Sequence, residues 1–180
     1  MASSLAPVIR PEGPEDYSAI ADVVREAFGS ETEVELVEAI RRLPGYRPDL
    51  ALIAAVGGRI VGHVMISGVS LHDREQRHDV VTLSPLAVSP ICQGHGIGSV
   101  LVNEAIRRAD AAGEPVVVLE GSPRYYRRFG FEAAADYGIQ IDLPSWAPPQ
   151  AAQVIRLSGY KPSIRGRLVF AALDQVSHSK

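Results

Sequence analysis

The sequence contains one cysteine, Cys92, and only two lysines, Lys161 and Lys180. A single thiol excludes an internal disulfide and any zinc site that needs two cysteines. No apolar run reaches the roughly 18 residues that a membrane-spanning helix needs. The first thirteen residues also lack the apolar centre of a signal peptide. We therefore expect a cytoplasmic protein that makes no use of a membrane.

The composition that remains is typical of one folded domain. The chain has 180 residues, 46% of them apolar and 22% charged, and a chain of this size buries roughly two thirds of its unfolded surface. We expect a single domain over residues 1–180, with a core in about 8–143 and C-terminal strands and a loop in 144–180. The net charge is -3 and the sixteen arginines are dispersed, which argues against nucleic acid as a partner.

The first half of the chain predicts two helices followed by a β-hairpin. Apolar residues recur at helical spacing from Tyr17 to Phe28, and Gly29 ends that helix. Thr32 and Glu35 have the spacing of a capping box for a second helix. The predicted strands are Val8–Arg10, then Leu50–Val56 and Arg59–Val69, the last two joined by the hairpin signal Gly57-Gly58.

The second half predicts a strand, a long helix and a parallel strand. Residues 70–79 are polar and predict a connection, and the strand Val80–Val88 is interrupted by Pro85, which favours a bulge. A continuous apolar run at Pro115–Leu119 is typical of a strand buried on both faces. The remaining predictions are a helix over Gly96–Ala112, a short helix from Ser122 to Gly130, a loop over 144–152, and strands at Ile139–Leu143, Val154–Leu157 and Leu168–Ala172.

A glycine-rich segment between the interrupted strand and the long helix carries most of the functional information. The sequence Gln93-Gly94-His95-Gly96-Ile97-Gly98-Ser99 leads directly into the predicted helix. Unpaired N–H groups and the helix dipole make such a helix start a site for an anionic group, with phosphate the natural ligand. Glycine also lets the backbone approach that group without an intervening side chain.

Three alternatives compete for this segment. A P-loop needs a lysine after its second glycine, and no lysine precedes Lys161. A dinucleotide fingerprint needs a third glycine where Ser99 stands, and no acidic residue ends a strand about 20 residues on unless Glu120 serves. The third alternative is a glycine turn that merely packs a helix on a strand.

The segment resembles the acyl-CoA loop of the GNAT superfamily of N-acetyltransferases, whose hallmark is Gln or Arg, two residues, Gly, one residue, then Gly or Ala. Leu86-Ala87-Val88-Ser89-Pro90 before it and Tyr126-Arg127-Arg128-Phe129-Gly130-Phe131 after it are also similar to the family, most of all to its YhbS-like predicted acetyltransferases. The resemblance covers roughly residues 8–143. It implies an α/β fold with a mixed, mostly antiparallel sheet, splayed beside a bulged strand and flanked by helices.

The resemblance also implies acetyl-CoA as co-substrate, with no metal. The loop would hold the pyrophosphate, and the strand before it would pair with the pantetheine arm and supply a backbone N–H to the acetyl carbonyl. The cofactor-binding residues implied are Leu86, Ala87 and Val88 on the strand, and Gln93, Gly94, His95, Gly96, Ile97, Gly98 and Ser99 on the loop.

Two side chains are candidates for proton transfer. Tyr126 suits the acid that protonates the departing thiolate, because a tyrosine with a pKa of about 10 stays protonated at neutral pH, above the roughly 8.5 of a thiol. Glu120 follows the buried strand and is a candidate base, with a loop or capping role and a water relay as alternatives. Tyr125 predicts a packing pair with Phe129. We expect Glu31, Glu33 and Glu35 to cap a helix or to be solvated charges. Cys92 is expected to fill space in the core. The histidines have no metal-ligand spacing, and we assign no ligand among His63, His72, His78, His95 and His178.

The function expected from these residues is N-acetyl transfer from acetyl-CoA to an amine of a small molecule or peptide, by direct attack in a ternary complex. The alternative is a non-catalytic module of the same fold that binds acyl-CoA. The acceptor, the base and the oligomeric state, for which a homodimer is one option, have no readable signature.

Overall fold

The computed structural model describes residues 6–170. Its strands are β1 (Val8–Pro11), β2 (Ala51–Val56), β3 (Arg59–Asp73), β4 (Gln76–Val88), β5 (Val116–Glu120), β6 (Glu132–Ala133), β7 (Ile139–Gln140), β8 (Ala152–Arg156) and β9 (Gly166–Val169). Its helices are α1 (Tyr17–Phe28), α2 (Thr32–Arg41), α3 (Ile97–Ala111) and the one-turn α4 (Pro123–Tyr126).

All nine strands join in one sheet. The order is β1-β2-β3-β4-β5-β8-β6, and β9 pairs with both β3 and β7. Two pairings are parallel, β4 with β5 and β7 with β9, and the other pairings among the described residues are antiparallel. The predicted mixed, mostly antiparallel sheet is confirmed.

The sheet opens between β4 and β5. Within residues 6–170 these strands share two residue pairs, Val81 with Val117 and Thr82 with Val118. Beyond Thr82, β4 continues along β3 to Val88, whereas β5 continues along β8 to Glu120. The register of β4 against β3 shifts between Leu83 and Leu86, where Ser84 and Pro85 form the predicted bulge. The two strands therefore separate where Pro85 interrupts the ladder.

Helices cover both faces of the sheet. On one face α1 packs Ile20 and Val24 against Ile53 of β2, and α2 packs beside it. On the other face α3 packs Leu101 and Ala105 on the sheet. The two N-terminal helices lie on one side and the long helix on the other, so the sheet is flanked by helices as the resemblance implies.

The connection predicted at residues 70–79 is wrong. β3 runs to Asp73 and β4 begins at Gln76, so Arg74 and Glu75 alone form the turn. The charged residues of this hairpin face solvent, while Leu71 and Val80 are buried beneath it. Leu71 and Val80 are the only apolar residues between positions 70 and 80, so the alternation that marks a strand is not visible in the sequence.

Three smaller predictions also need correction. The capping box of Thr32 and Glu35 is absent, because α2 begins at Thr32 itself and the hydroxyl of Ser30 accepts a hydrogen bond from its backbone N–H at 3.1 Å. The strand predicted over 139–143 is two residues long, since Asp142 and Leu143 leave the ladder. β9 ends at Val169, and residues 171 and 172 of its predicted span lie outside the described residues.

A buried carboxylate joins α2 to the sheet. Both oxygens of Glu12, which follows β1, accept hydrogen bonds from Arg41 of α2 at 2.9 Å. Glu12 also accepts from the hydroxyl of Tyr46 at 2.7 Å and from Nε2 of His63 at 2.8 Å. The guanidinium of Arg41 lies 3.7 Å from the ring centroid of Tyr17. One carboxylate therefore holds two strands, a helix and a loop together.

The ionisation states of Glu12 and His63 follow from their shifted pKa values. Burial alone would raise the pKa of Glu12, but hydrogen bonds from Arg41 and His63 outweigh it and lower the pKa to about 2. Burial lowers the pKa of His63. Nδ1 of that imidazole has no hydrogen-bond partner among the described residues, so a second ring proton would find no acceptor there.

We expect Glu12→Gln to lower the free energy of unfolding by about 3–5 kcal/mol, because it leaves the guanidinium of Arg41 buried without its counter-charge. Urea unfolding of both proteins measures the difference. Glu26→Gln, on the exposed face of α1, is the control and should change the stability by less than about 0.5 kcal/mol. Equal stability of the two variants would contradict this account.

The same cluster predicts loss of stability in acid. The unfolded chain protonates His63 below pH 6.5 while the folded chain does not, so stability falls as the pH drops through that value. Glu12 adds a second fall between pH 4.5 and about 2, its unfolded and folded pKa values. Urea midpoints of the wild type at pH 7.5, 5.5 and 4 should decline in order, and a flat profile would contradict the buried cluster.

Candidate active site

The glycine-rich loop presents free backbone N–H groups at the start of α3. Gly94 and Gly96 have φ values of 76° and 83°, a left-handed conformation that favours glycine. An ideal Cβ on either residue would meet no heavy atom within 4 Å, so open space surrounds the loop. No backbone oxygen of residues 6–170 accepts from the N–H groups of residues 94–96, and the first turn of a helix lacks intrahelical acceptors. The loop can therefore receive an anionic group.

The side chain of Gln93 positions this loop. Its Nε2 donates a hydrogen bond to the carbonyl of Val88 at 3.0 Å, which ties the loop to the end of β4. His95 is exposed, as expected, and its Nδ1 donates to the carbonyl of Gln93 at 2.9 Å. The predicted loop residues are thus together, and two of their side chains stabilise the turn.

Tyr125 reaches the loop, which sequence reasoning missed. Its ring contacts Phe129 with centroids 5.4 Å apart, so the predicted packing pair exists. Its hydroxyl also lies over Gly98, where an ideal Cβ would come within 2.6 Å of it. Spacing along the chain gives no sign of this contact, because 26 residues lie between Gly98 and Tyr125.

Tyr126 contacts Tyr125 edge-on, with the ring centroids 4.9 Å apart. Its ring packs against Phe131 with centroids 5.6 Å apart, and an ideal Cβ on Gly121 would lie 2.5 Å from its Cε2. Burial raises the pKa of Tyr126 to about 12. The phenol ring is therefore closely packed, and its hydroxyl stays protonated over the ordinary pH range.

A cavity of about 710 Å³ lies beside the opening of the sheet. Tyr126 and Glu120 line it together with Ser84, Pro85 and Leu86 of the bulged strand. The structure thus brings both proton-transfer candidates to one wall. Ala87 is instead buried under α1, and Val88 packs toward α3.

The three glutamates at the start of α2 have different surroundings. Glu33 lines the cavity and accepts a hydrogen bond from the hydroxyl of Ser30 at 2.6 Å. Glu31 forms an ion pair with Arg25, and Glu35 is exposed. Neither Glu31 nor Glu35 caps α2 through its side chain, so of the two expected roles the solvated charge describes them, whereas Glu33 also faces the cavity.

Cys92 is half-buried with a free thiol. Among the described residues no group of three or more His, Cys, Asp or Glu side chains could hold a metal ion, and His178 lies outside them. Nor does any helix within residues 6–170 have the length and apolar character needed to cross a membrane.

The structure has the open sheet and the glycine-rich helix start that the GNAT resemblance implies. Residues 8–134 match the family model for the acetyltransferase (GNAT) domain. The chain therefore belongs to the GNAT family of acetyltransferases.

Several relatives support this assignment. The chain is 34% identical to the uncharacterized N-acetyltransferase YhbS of Escherichia coli K12 over 152 residues, 84% of this chain and 87% of that protein. It is 34% identical to YjhQ of the same organism over 130 residues, 72% of each chain. The crystal structure of E. coli YhbS in complex with CoA has a TM-score of 0.85 at 29% identity, covering 97% of this chain and 95% of that one. A Brucella melitensis family member in complex with acetyl-CoA has a TM-score of 0.75 at 29% identity, covering 93% and 98%.

The contact between Tyr125 and Gly98 predicts strong coupling between two substitutions. Gly98→Ala should destabilise the wild type, because the new Cβ meets the Tyr125 hydroxyl at 2.6 Å. In a Tyr125→Phe background the nearest atoms are 3.6 and 3.8 Å away, so alanine should stabilise the helix by up to about 1 kcal/mol. Urea unfolding of the four proteins should give a coupling energy of at least about 1 kcal/mol. Additive effects would contradict the contact.

Proposed function

We propose that this protein transfers an acetyl group from acetyl-CoA to an amine by direct attack in a ternary complex. The observation that carries the proposal is the opening between β4 and β5, with Tyr126 and Glu120 lining a cavity beside the bulge of β4 and the glycine loop following the end of the same strand. The relatives solved with CoA and acetyl-CoA support the choice of donor.

The loop and the free edge of β4 fit the two parts of this donor. N–H groups from Gly94 to Ser99 would bind the pyrophosphate, with Gln93 holding the turn. The main chain of Leu86, Ala87 and Val88 has no neighbouring strand on the β5 side, so an extended pantetheine arm can pair there as an added strand. A backbone N–H of the same stretch would polarise the acetyl carbonyl.

Proton transfer is assigned to two side chains on the cavity wall. The neutral amine attacks the thioester carbonyl, a C–N bond forms and the C–S bond breaks. Tyr126 gives its proton to the departing thiolate, and Glu120, directly or through water, receives the proton that the amine nitrogen loses. Burial raises the pKa of Tyr126 to about 12, so the phenol still carries its proton at any pH where the amine is neutral enough to react.

The compartment and the domain organisation are proposed from the sequence alone. We propose a cytoplasmic enzyme of one domain that binds neither nucleic acid nor membrane. A homodimer stays a prediction that size-exclusion chromatography with light scattering would test.

We expect acetyl-CoA to stabilise the folded protein. At a concentration of one hundred times the dissociation constant the gain is about 2.7 kcal/mol, which raises Tm by roughly 5–10 °C for a chain of this length. Gly96→Ala, which strains a left-handed residue of the loop, should weaken binding by at least about tenfold. Gly113→Ala is the matched control, since φ is 85° there too and α3 separates it from the loop. A response to NAD and none to acetyl-CoA would contradict the proposal.

Tyr126→Phe should lower kcat by about 10² or more with little change in affinity for acetyl-CoA, because the thiolate loses its proton donor. Thiol release in the presence of an accepted amine measures kcat. Gly121→Ala should also lower kcat, although Tyr126 is still present. The new Cβ would displace the ring of Tyr126, because hydrogen bonds of 3.0 and 2.9 Å keep the backbone of Gly121 from moving instead.

Gly159→Ala is the control, with no heavy atom closer than 3.6 Å to the new Cβ. The kcat of the wild type should show no alkaline fall up to pH 10, since the pKa of Tyr126 is about 12. Binding of acetyl-CoA without turnover of any amine would favour the non-catalytic module. Loss of all activity in Cys92→Ala with CoA binding retained would favour an acyl-enzyme instead.

A further inference from the structure

The acceptor cavity combines uncompensated negative charge with apolar walls. Among residues 6–170 its charged lining residues are Glu33, Glu120, Asp142 and Arg167. The guanidinium of Arg167 already donates to Asp142 through Nη2 at 2.6 Å and Nε at 3.1 Å, so their charges cancel. Within the described lining, no cation pairs with Glu33 or Glu120, and the four charged side chains sum to about two negative charges.

This charge selects the kind of amine that the cavity accepts. A protonated amine is attracted by Glu33 and Glu120 before it reacts. A carboxylate or phosphate on the acceptor would instead be repelled by those two side chains. Arg167 does not offset this repulsion, because it is already paired with Asp142. Free amino acids and phosphorylated amines therefore fit the cavity poorly.

The apolar walls select the rest of the acceptor. Phe28 and Leu36 line one side, at the junction of α1 and α2, and Val169 and Phe170 line another. Phe28 keeps 43% of its surface exposed and Val169 keeps 38%. Large apolar side chains exposed within a concave site gain contacts when an apolar group enters. A volume of about 710 Å³ leaves room for such a group beside the acetyl end of the donor.

We propose that the physiological acceptor is a primary amine on an alkyl or arylalkyl group that carries no anionic substituent, and that Glu33 is the residue that selects it by charge. This inference rests on the proposed acetyl transfer. Acetylation converts the ammonium group into a neutral amide, so the product loses the attraction that held the substrate.

Matched acceptor pairs test the proposal. One pair is 2-phenylethylamine and L-phenylalanine, and the other is hexylamine and 6-aminohexanoate. Within each pair the amine without a carboxylate should have a kcat/KM higher by a factor on the order of 10². The carboxylate of the other compound is repelled by two like charges. Thiol release gives the rates, and mass spectrometry of the N-acetyl product confirms transfer.

Variants of α2 identify the residue responsible. Glu33→Gln keeps the hydrogen bond from Ser30 but removes the charge, so the ratio of kcat/KM within each pair should shrink by about tenfold through KM. Glu35→Gln, exposed on the same helix and outside the cavity, should leave the ratio unchanged. A ratio between two substrates cancels any loss of folded enzyme.

The outcomes distinguish a wrong acceptor from a wrong reaction. Equal kcat/KM for the members of both pairs, or an unchanged ratio in Glu33→Gln, would overturn the assignment of the acceptor while acetyl transfer stands. Acetylation confined to a peptide amine would also overturn it. Failure of every amine, with acetyl-CoA still raising Tm, would overturn the proposed function itself.

Discussion

The separation of β4 from β5 after two shared residue pairs is the constraint on which the rest of the site depends. Two parallel strands that stayed paired would leave no free main-chain edge and no cavity between them. The bulge at Ser84 and Pro85 turns β4 toward β3, while β8 holds β5 in line to Glu120. The hydroxyl of Thr82 donates to the carbonyl of Val118 at 3.1 Å, at the last shared pair. The opening is therefore fixed at both of its edges.

The short segment after β5 connects the two ends of this opening. Tyr125 and Tyr126 are adjacent on α4, so their side chains leave the helix about 100° apart. One hydroxyl lies over Gly98 at the loop, and the other ring packs over Gly121 beside the cavity. In both places glycine provides the space that the tyrosine occupies. A movement of α4 would therefore change the loop and the cavity wall together.

The sequence predicted the parts of the fold that depend on local patterns. Helical spacing defined α1 and α3, and glycine pairs or turns marked the hairpin and the loop, because those signals lie within a few residues of each other. It failed at residues 70–79, where burial of Leu71 and Val80 is set by the strands beneath them. The contact between Tyr125 and Gly98 and the role of Glu33 in the cavity wall also depend on distant parts of the chain. Nothing in local spacing reports them.

The negative charge of the cavity both helps and opposes the proposed reaction. Glu33 and Glu120 attract an ammonium group, but the same attraction raises the pKa of that group and makes the neutral nucleophile scarcer. Direct attack therefore needs an acceptor for the proton close to the amine. Glu33 lies on α2, whereas Glu120 lies on the wall that Tyr126 shares, beside the opening. In the proposed reaction the two carboxylates have different roles: Glu33 attracts the cation into the cavity, and Glu120 accepts its proton beside the thioester carbonyl. Because the amide product carries no charge, neither carboxylate then retains it, and the attraction is available again for the next substrate.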